Sequence, residues 1–152
     1  MARLVIDLLA DRAHRAPDAL AVIDGAARWT NAELLRKVRD TAKALLLAGV
    51  GRGDRVATLA PPSADFWLLY LASTSVGAIW QGLNPKYQRN EYSYLLGDAA
   101  PKIVFVRSPF DGRDYLEELE ALAAPDTRFV RLADAPLDSA NPFIAAGRSL
   151  PD

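Results

Sequence analysis

The chain has 152 residues, of which 51% are hydrophobic and 24% are charged, with a formal net charge of −1 and no cysteine. This composition excludes a disordered tail, and the lack of cysteine excludes disulfides, thiolate metal sites and cysteine nucleophiles. Lysine and arginine are spread along the chain, so we expect no nucleic-acid partner. No apolar run approaches the roughly 20 residues that span a bilayer, and no signal-peptide pattern is present, so we expect a cytoplasmic protein without a transmembrane segment.

The first part of the chain predicts a short helix followed by a β-hairpin. Leu4, Leu8 and Ala13 fall near one face of a helix that Pro17 stops. A turn at Gly25 then separates Ala21–Asp24 from Arg28–Thr30, which is typical of a small hairpin.

A long amphipathic helix is predicted next. Thr30 followed by Glu33 has the spacing of a capping box, in which each side chain accepts a hydrogen bond from a free backbone amide. Gly49 stands where a left-handed residue is expected to end the helix. Apolar residues recur at helical spacing between these two signals, at Leu34, Val38, Ala42 and Leu45.

Strands and helices are predicted to alternate from residue 30 to residue 132. The predicted strands are 56–60, 78–83, 102–106 and 127–132, and the predicted helices are 64–76, 90–97 and 114–123. The helix at 64–76 is apolar almost all round, so we expect it to be buried on more than one side. No packed element is expected from Ala133 onward. Short links between buried strands and helices predict an α/β fold, with a mostly parallel sheet and helices on both faces.

The glycine-rich stretch at 49–53 has the composition of a phosphate-binding loop but the wrong order and spacing. A phosphate loop follows a strand and opens a helix, whereas these glycines follow a helix and precede a strand. We interpret the stretch as a helix cap followed by a tight turn, in which Asp54 binds local amides while Arg52 and Arg55 are solvated.

The remaining polar candidates are interpreted as structural. The hydroxyl cluster at 73–75 lies inside the apolar helix, where its members can donate to carbonyls one turn back. His14 is the only histidine and has no second ligand at helical spacing, so we interpret it as a surface residue. We interpret Glu117, Glu118 and Glu120 as a solvated helix face. We interpret Trp29, Trp67 and Trp80 as core residues.

Seven short motifs follow one another in a distinctive order. They are W-T-x-x-E-L from Trp29, L-x-x-x-G-V-G-R-G-D-R-V from Leu45, Pro62-Ser63, G-A-I from Gly77, L-N-P from Leu83, Asn90-Glu91, and D-A-A-P-K-I-V-F-V from Asp98. This order resembles the N-terminal segment of AMP-forming acyl-CoA synthetases, which belong to the adenylate-forming superfamily. Two departures concern the subfamily: Asn31 stands where tyrosine is common, and Gln88 where threonine is common.

The resemblance implies an N-terminal α/β subdomain over residues 1–132 and a linker over residues 133–152 that leads toward a phosphate loop. It implies a parent ligase, most simply a fatty acyl-CoA synthetase, that uses ATP, Mg²⁺ and coenzyme A to form an acyl-adenylate and then a thioester. The phosphate loop ending in P-K-G, the ribose-binding aspartate and the lysine of the C-terminal domain have no counterpart in the sequence. No catalytic, cofactor-binding or metal-binding residue is therefore assigned.

The resemblance also implies that the chain is a fragment that is inactive alone and binds no cofactor itself. Its expected partners are the remainder of the parent enzyme or a second copy of the chain. Two alternatives stay open. One is a self-contained module that binds a small molecule at the carboxyl ends of its strands, beyond Ala60, Leu83 and Val106. The other is an oligomerisation domain without catalysis.

Overall fold

The computed structural model describes residues 4–132, 137 and 141–148 of the chain. The described residues form six helices and six strands. In chain order they are α1 (Val5–Arg15), β1 (Leu20–Asp24), β2 (Ala27–Thr30), α2 (Asn31–Leu47), β3 (Arg55–Leu59), α3 (Ala64–Ser75), β4 (Ile79–Leu83), α4 (Arg89–Ala99), β5 (Ile103–Arg107), α5 (Tyr115–Glu120), β6 (Arg128–Leu132) and α6 (Pro142–Gly147).

Four strands form a parallel sheet in the order β4-β3-β5-β6, and β1 and β2 form a separate antiparallel hairpin. The chain steps from β3 outward to β4, then crosses back over β3 to β5 and continues to β6. Because right-handed crossovers in opposite directions place their helices on opposite faces, α3 lies on one face and α4 and α5 on the other. The structure thus confirms the predicted α/β fold with helices on both faces of a parallel sheet.

The inner strands show why the two faces have separate cores. Along β3, Val56 packs in the cluster with α2, α3 and α6, whereas Ala57 and Leu59 pack in the cluster with α4 and α5. Side chains of a strand alternate between faces, so a strand covered on both sides must be apolar throughout. The continuous apolar runs in the sequence are a direct consequence of this double burial.

The predicted signals at both ends of α2 are present. The Thr30 Oγ1 accepts from the Glu33 amide at 3.2 Å, and the Glu33 Oε2 accepts from the Thr30 amide at 2.8 Å. At the other end Gly49 has a φ of +80°. The Val50 amide donates to the Leu45 carbonyl, and the Gly49 amide donates to the Leu46 carbonyl. These two bonds satisfy carbonyls that the helix itself leaves free.

The segment after β6 contains a packed helix, so the prediction of no packed element from Ala133 onward is wrong for residues 141–148. The Asn141 side chain caps α6, whose Phe143 and Ile144 are buried in the same cluster as α2 and α3. Gly147 lies so close to α2 that an added Cβ would come within 2.5 Å of the Ala44 nitrogen. The short Pro-Phe-Ile-Ala-Ala-Gly sequence carries too little periodicity to indicate a helix, and its packing against α2 supplies the stability instead. The rest of the 133–152 prediction lies outside the described residues, apart from Leu137, and stays a prediction.

Helices α1 and α3 each expose apolar side chains that the sequence analysis expected to be buried. Leu4 and Leu8 are more than half exposed, while Ile6 and Leu9 pack against the core beside buried Ala13. Helix α3 is buried along most of its length, as predicted, but it leaves Trp67 46% exposed. Both helices carry more apolar side chains than the other described elements cover.

Candidate functional site

The carboxyl ends of β3, β4 and β5 meet at one edge of the sheet, where two adjoining cavities open. This is the edge at which parallel sheets usually bind ligands, because the loops after the strands converge there. Pro62, in the loop after β3, lines both cavities. We refer to them as the apolar cavity and the charged cavity.

The apolar cavity has a volume of about 590 Å³ and lies between the ends of β3 and β4. The Trp80 indole Nε1 donates to the Thr58 Oγ1 at 3.1 Å, which fixes the plane of the ring. Phe66 meets this ring edge-on, with 4.7 Å between the ring centroids. The apolar cavity is lined by Ala60, Pro62, Phe66, Trp80, Gly82, Leu83, Asn84, Pro85 and Lys86.

Gly82 lets the Trp80 and Phe66 rings pack against the backbone of β4. A Cβ added at this position would come within 2.9 Å of the Trp80 ring and within 3.1 Å of the Phe66 ring. Any larger residue would therefore displace these two rings. Lys86 is a charged member of the lining, and no acidic residue of the described part of the chain lines the cavity.

The charged cavity has a volume of about 310 Å³ and contains a buried ion pair. Asp65 is 2% exposed, and its Oδ2 accepts from the Arg107 Nη2 at 3.0 Å. Its Oδ1 accepts from the Leu137 amide at 2.6 Å, which ties the segment after β6 to α3. Burial raises the pKa of Asp65, against the lowering effects of the Leu137 hydrogen bond and the Arg107 charge.

The hairpin closes the charged cavity from the side. The Asp24 Oδ2, at the end of β1, accepts from the Ala64 amide at 2.8 Å, and the Ser63 Oγ accepts from the Phe66 amide at 3.3 Å. Both acceptors satisfy amides in the first turn of α3. A carboxylate is favoured at this position because the helix N-terminus carries partial positive charge.

The glycine-rich stretch 49–53 lies at the opposite edge of the sheet, where the strands begin. The Gly49 amide donates to Leu46, the Gly51 amide to the Asp54 carboxylate at 2.8 Å, and the Gly53 amide to the Gly77 carbonyl. The predicted cap and turn are confirmed, and so is the hydrogen bond from a local amide to Asp54. These three glycine amides have internal partners and are not directed at an external anion.

The charged residues beside this turn bind neighbouring elements. The Lys102 Nζ donates to the Asp54 Oδ2 at 3.0 Å and to the Gly49 carbonyl at 2.6 Å. The Gly51 amide and Lys102 lower the pKa of Asp54. Arg55 was predicted to be solvated, but its guanidinium donates to the carbonyls of Ala99 and Ala100 at the end of α4. A cation at this position satisfies carbonyls at the negative end of the helix.

The hydroxyl cluster at 73–75 behaves as predicted at two of its three positions. The Thr74 Oγ1 donates to the Tyr70 carbonyl, and the Ser75 Oγ donates to the Ala72 carbonyl. Ser73 is fully buried, and its Oγ has no hydrogen-bond partner among the described residues.

Two interpretations from the sequence are wrong in part. Glu118 is not simply part of a solvated face, because both of its carboxylate oxygens accept from Arg113. The Arg113 guanidinium also lies over the Tyr115 ring, 4.8 Å from its centroid. Trp29 is buried as predicted, whereas Trp67 is largely exposed, and Trp80 borders the apolar cavity.

His14 lines a separate surface groove between α1 and α2. Within residues 4–132, 137 and 141–148, no three acidic or histidine side chains converge as a metal site would require. None of the helices in the described part of the chain combines the length and apolarity needed to cross a bilayer.

The sequence named the strand ends but missed the residues that shape the two cavities. Gly82, Lys86 and Arg107 each lie at, or within three residues of, the end of a predicted strand. Position relative to a strand end was therefore the available signal. Asp65 had no such signal, because its partner Arg107 is distant in sequence and the pairing depends on the crossover between β3 and β5.

A family model described as AMP-binding enzyme matches residues 9–149. The 3-hydroxybenzoate–CoA ligase of Aromatoleum sp. (strain CIB) is 32% identical over 131 residues, covering 86% of this chain and 25% of that protein. The chain spans a quarter or less of the length of the curated relatives that it matches most strongly.

Solved structures agree with this likeness. The N-terminal domain of FACL13 from Mycobacterium tuberculosis superposes with a TM-score of 0.80 and 25% identity, covering 95% of this chain and 36% of that one. The nonribosomal peptide synthetase FmoA3, in its form bound to α-methyl-L-serine-AMP, gives a TM-score of 0.72 and 25% identity, covering 86% of this chain and 14% of that one.

Proposed function

Because this chain belongs to the AMP-binding enzyme family, we propose that it forms the N-terminal part of a ligase that joins a carboxylic acid to coenzyme A. The family match over residues 9–149 carries this proposal. The likeness to a protein named 3-hydroxybenzoate–CoA ligase supports the choice of an acid and coenzyme A as substrates.

The proposed reaction has two steps. A carboxylate oxygen attacks the α-phosphorus of ATP and pyrophosphate leaves, and the thiol of coenzyme A then attacks the acyl carbon and AMP leaves. Mg²⁺ offsets the negative charge of the phosphates. The described residues do not fit ATP or Mg²⁺, because the glycine amides of 49–53 have internal partners and no metal-ligating cluster forms among these residues.

We therefore assign no chemical step to residues of this chain, and we propose that ATP, Mg²⁺ and coenzyme A bind elsewhere in a longer protein. Alone, the chain is expected to be inactive. The remaining part of that protein, or a second copy of the chain, would cover the exposed apolar side chains of Ile23, Trp67 and Ile79.

The test is an assay of the complete polypeptide that contains this chain. With ATP and Mg²⁺, a panel of carboxylic acids should support exchange of labelled pyrophosphate into ATP, and coenzyme A should convert the exchanging acid to a thioester. The 152-residue chain alone should give neither product. Thioester formation that proceeds without ATP, or a complete protein inert toward every acid, would contradict the proposal.

A second candidate is adenylation of an amino acid in peptide synthesis. The likeness to the peptide synthetase FmoA3 favours it. The same assay separates the two functions, because an amino-acid-activating domain supports exchange with amino acids and forms no thioester with free coenzyme A. A chimera in which residues 9–149 replace the matching segment of the 3-hydroxybenzoate–CoA ligase tests whether this chain can support thioester formation.

A further inference from the structure

We propose that the apolar cavity is a binding site for an aromatic carboxylate, with the ring of the ligand beside Trp80 and Phe66 and its carboxylate at Lys86. The proposal concerns binding by this chain itself, and it does not depend on the ligase function. It commits to one occupant, a single small acid, for reasons of volume, wall chemistry and charge.

The volume suits a small organic molecule. Ligand pockets commonly measure roughly 300–1,000 Å³, and the apolar cavity measures about 590 Å³. Gly82 carries no side chain where the Trp80 and Phe66 rings leave less than 3.2 Å for a Cβ, so both rings can pack against the backbone of β4 and form a wall of the cavity. A glycine in a strand often marks such a close approach of another group to the backbone.

The walls favour a flat apolar group. The Trp80 ring is fixed by its hydrogen bond to Thr58 and by edge-on contacts with Phe66 and Tyr70. A ring system that is already fixed loses little conformational freedom when a ligand binds, and it offers both dispersion and ring–ring contacts.

The charge selects an anion. Among the described residues, Lys86 is the only charged one in the lining, and its ammonium has no hydrogen bond or ion pair with any of them. The neighbouring charged cavity differs, because its Arg107 is already paired with Asp65. A carboxylate placed over the apolar cavity would meet an uncompensated cation at Lys86, whereas an organic cation would be repelled.

The experiment titrates the 152-residue chain with 2-naphthoate and, in parallel, with 2-naphthamide, which has the same rings without the charge. Calorimetry and tryptophan fluorescence follow the binding. For a ligand of this size we expect a Kd of about 0.1–1 mM for 2-naphthoate. The amide should bind more weakly by about fivefold, since it cannot pair with Lys86.

Matched lysine variants locate the charge. Lys86→Gln should weaken binding of 2-naphthoate about fivefold and leave binding of 2-naphthamide unchanged. Lys43→Gln, which removes a lysine of α2 outside the cavity, should leave both affinities unchanged. Both substitutions are at positions outside the core, so circular dichroism should show an unaltered fold.

Gly82→Leu tests the location by displacing the Trp80 and Phe66 rings that form a wall of the cavity. Binding of both compounds should be lost in a variant that still unfolds cooperatively in urea. If that variant does not fold, the lysine pair still decides the question. The proposal is overturned if 2-naphthoate fails to saturate, if the amide binds equally well, or if Lys86→Gln has no effect. It is also overturned if sedimentation shows a dimer of the chain that Gly82→Leu abolishes, because the cavity would then be an interface between copies.

Discussion

The two edges of the parallel sheet differ in how their polar groups are satisfied. At the edge where the strands begin, Asp54 accepts from Gly51 and Lys102, and Arg55 donates to the end of α4. At the edge where the strands end, two cavities open, and the Lys86 ammonium has no partner among the described residues. The polar groups named at the first edge are thus bonded internally, whereas this ammonium at the second edge is not.

The ion pair at the second edge is an exception that clarifies this difference. Asp65 is buried and paired with the partly exposed Arg107, and Asp65 also accepts from the Leu137 amide. Their role is to connect α3, β5 and the segment after β6, which builds the wall of the charged cavity. Three changes, taken in order of expected effect, break or sharpen the contrast between the edges.

Asp65→Ala should damage the carboxyl edge most. The substitution leaves the Arg107 guanidinium beside an unpaired Leu137 amide, and breaking a buried pair in this way costs about 3–5 kcal/mol of unfolding free energy. Urea unfolding followed by circular dichroism measures the loss. Asp126→Ala, at an exposed position, should change stability by less than about 0.5 kcal/mol. A loss of under 1 kcal/mol for Asp65→Ala would show that the ion pair does not hold this edge together.

Gly147→Ala should have a smaller effect on the same side of the molecule. The new methyl group would come within 2.5 Å of the backbone of α2, and such overpacking costs about 1–3 kcal/mol. Gly97→Ala, in α4, is the matched control, because nothing lies within 4 Å of its added Cβ. Replacing a helical glycine in open space should stabilise the protein by about 0.5–1 kcal/mol. Equal effects at the two glycines, measured by urea unfolding, would mean that α6 is not docked against α2.

The pH dependence of stability should have opposite signs at the two edges. The pKa of Asp54 is lowered in the folded chain from 3.8, so its contribution to stability is present above that value and is lost as the pH falls through the folded pKa. The pKa of Asp65 is raised, so its contribution is present below 3.8 and is lost as the pH rises through the folded pKa.

Unfolding free energies of the wild type, Asp54→Asn and Asp65→Asn between pH 3 and pH 7 check these signs. The advantage of the wild type over Asp54→Asn should grow with pH, and its advantage over Asp65→Asn should shrink with pH. Parallel curves for the two variants would refute the assigned environments of the carboxyl groups.

Local patterns were sufficient to predict most of the fold. The capping box at Thr30, the left-handed Gly49 and the apolar run of β3 each depend on neighbouring residues, and the structure contains all three. Helix α6 was missed because its six residues have no periodicity and depend on contact with α2. The exposed side of α1 was misjudged because helical spacing alone does not determine which of two apolar rows faces the core.

The site was harder to predict than the fold. Lys86 and Gly82 are ordinary residues in the sequence and line a cavity only when β4 lies beside β3. Asp65 was hidden within an apolar helix, and Arg113 was not recognised as the partner of Glu118. Convergence of side chains across a sheet depends on strand order, which short-range patterns do not contain.

Every described residue that lines the apolar cavity lies between positions 60 and 86, within one strand–helix–strand unit. The cavity is therefore formed by residues that are close in sequence. Bringing them together costs less entropy than joining distant segments of the chain. No described residue of β6 or α6 lines the pocket. One contiguous gene segment encodes it, so recombination between related genes can transfer the pocket whole.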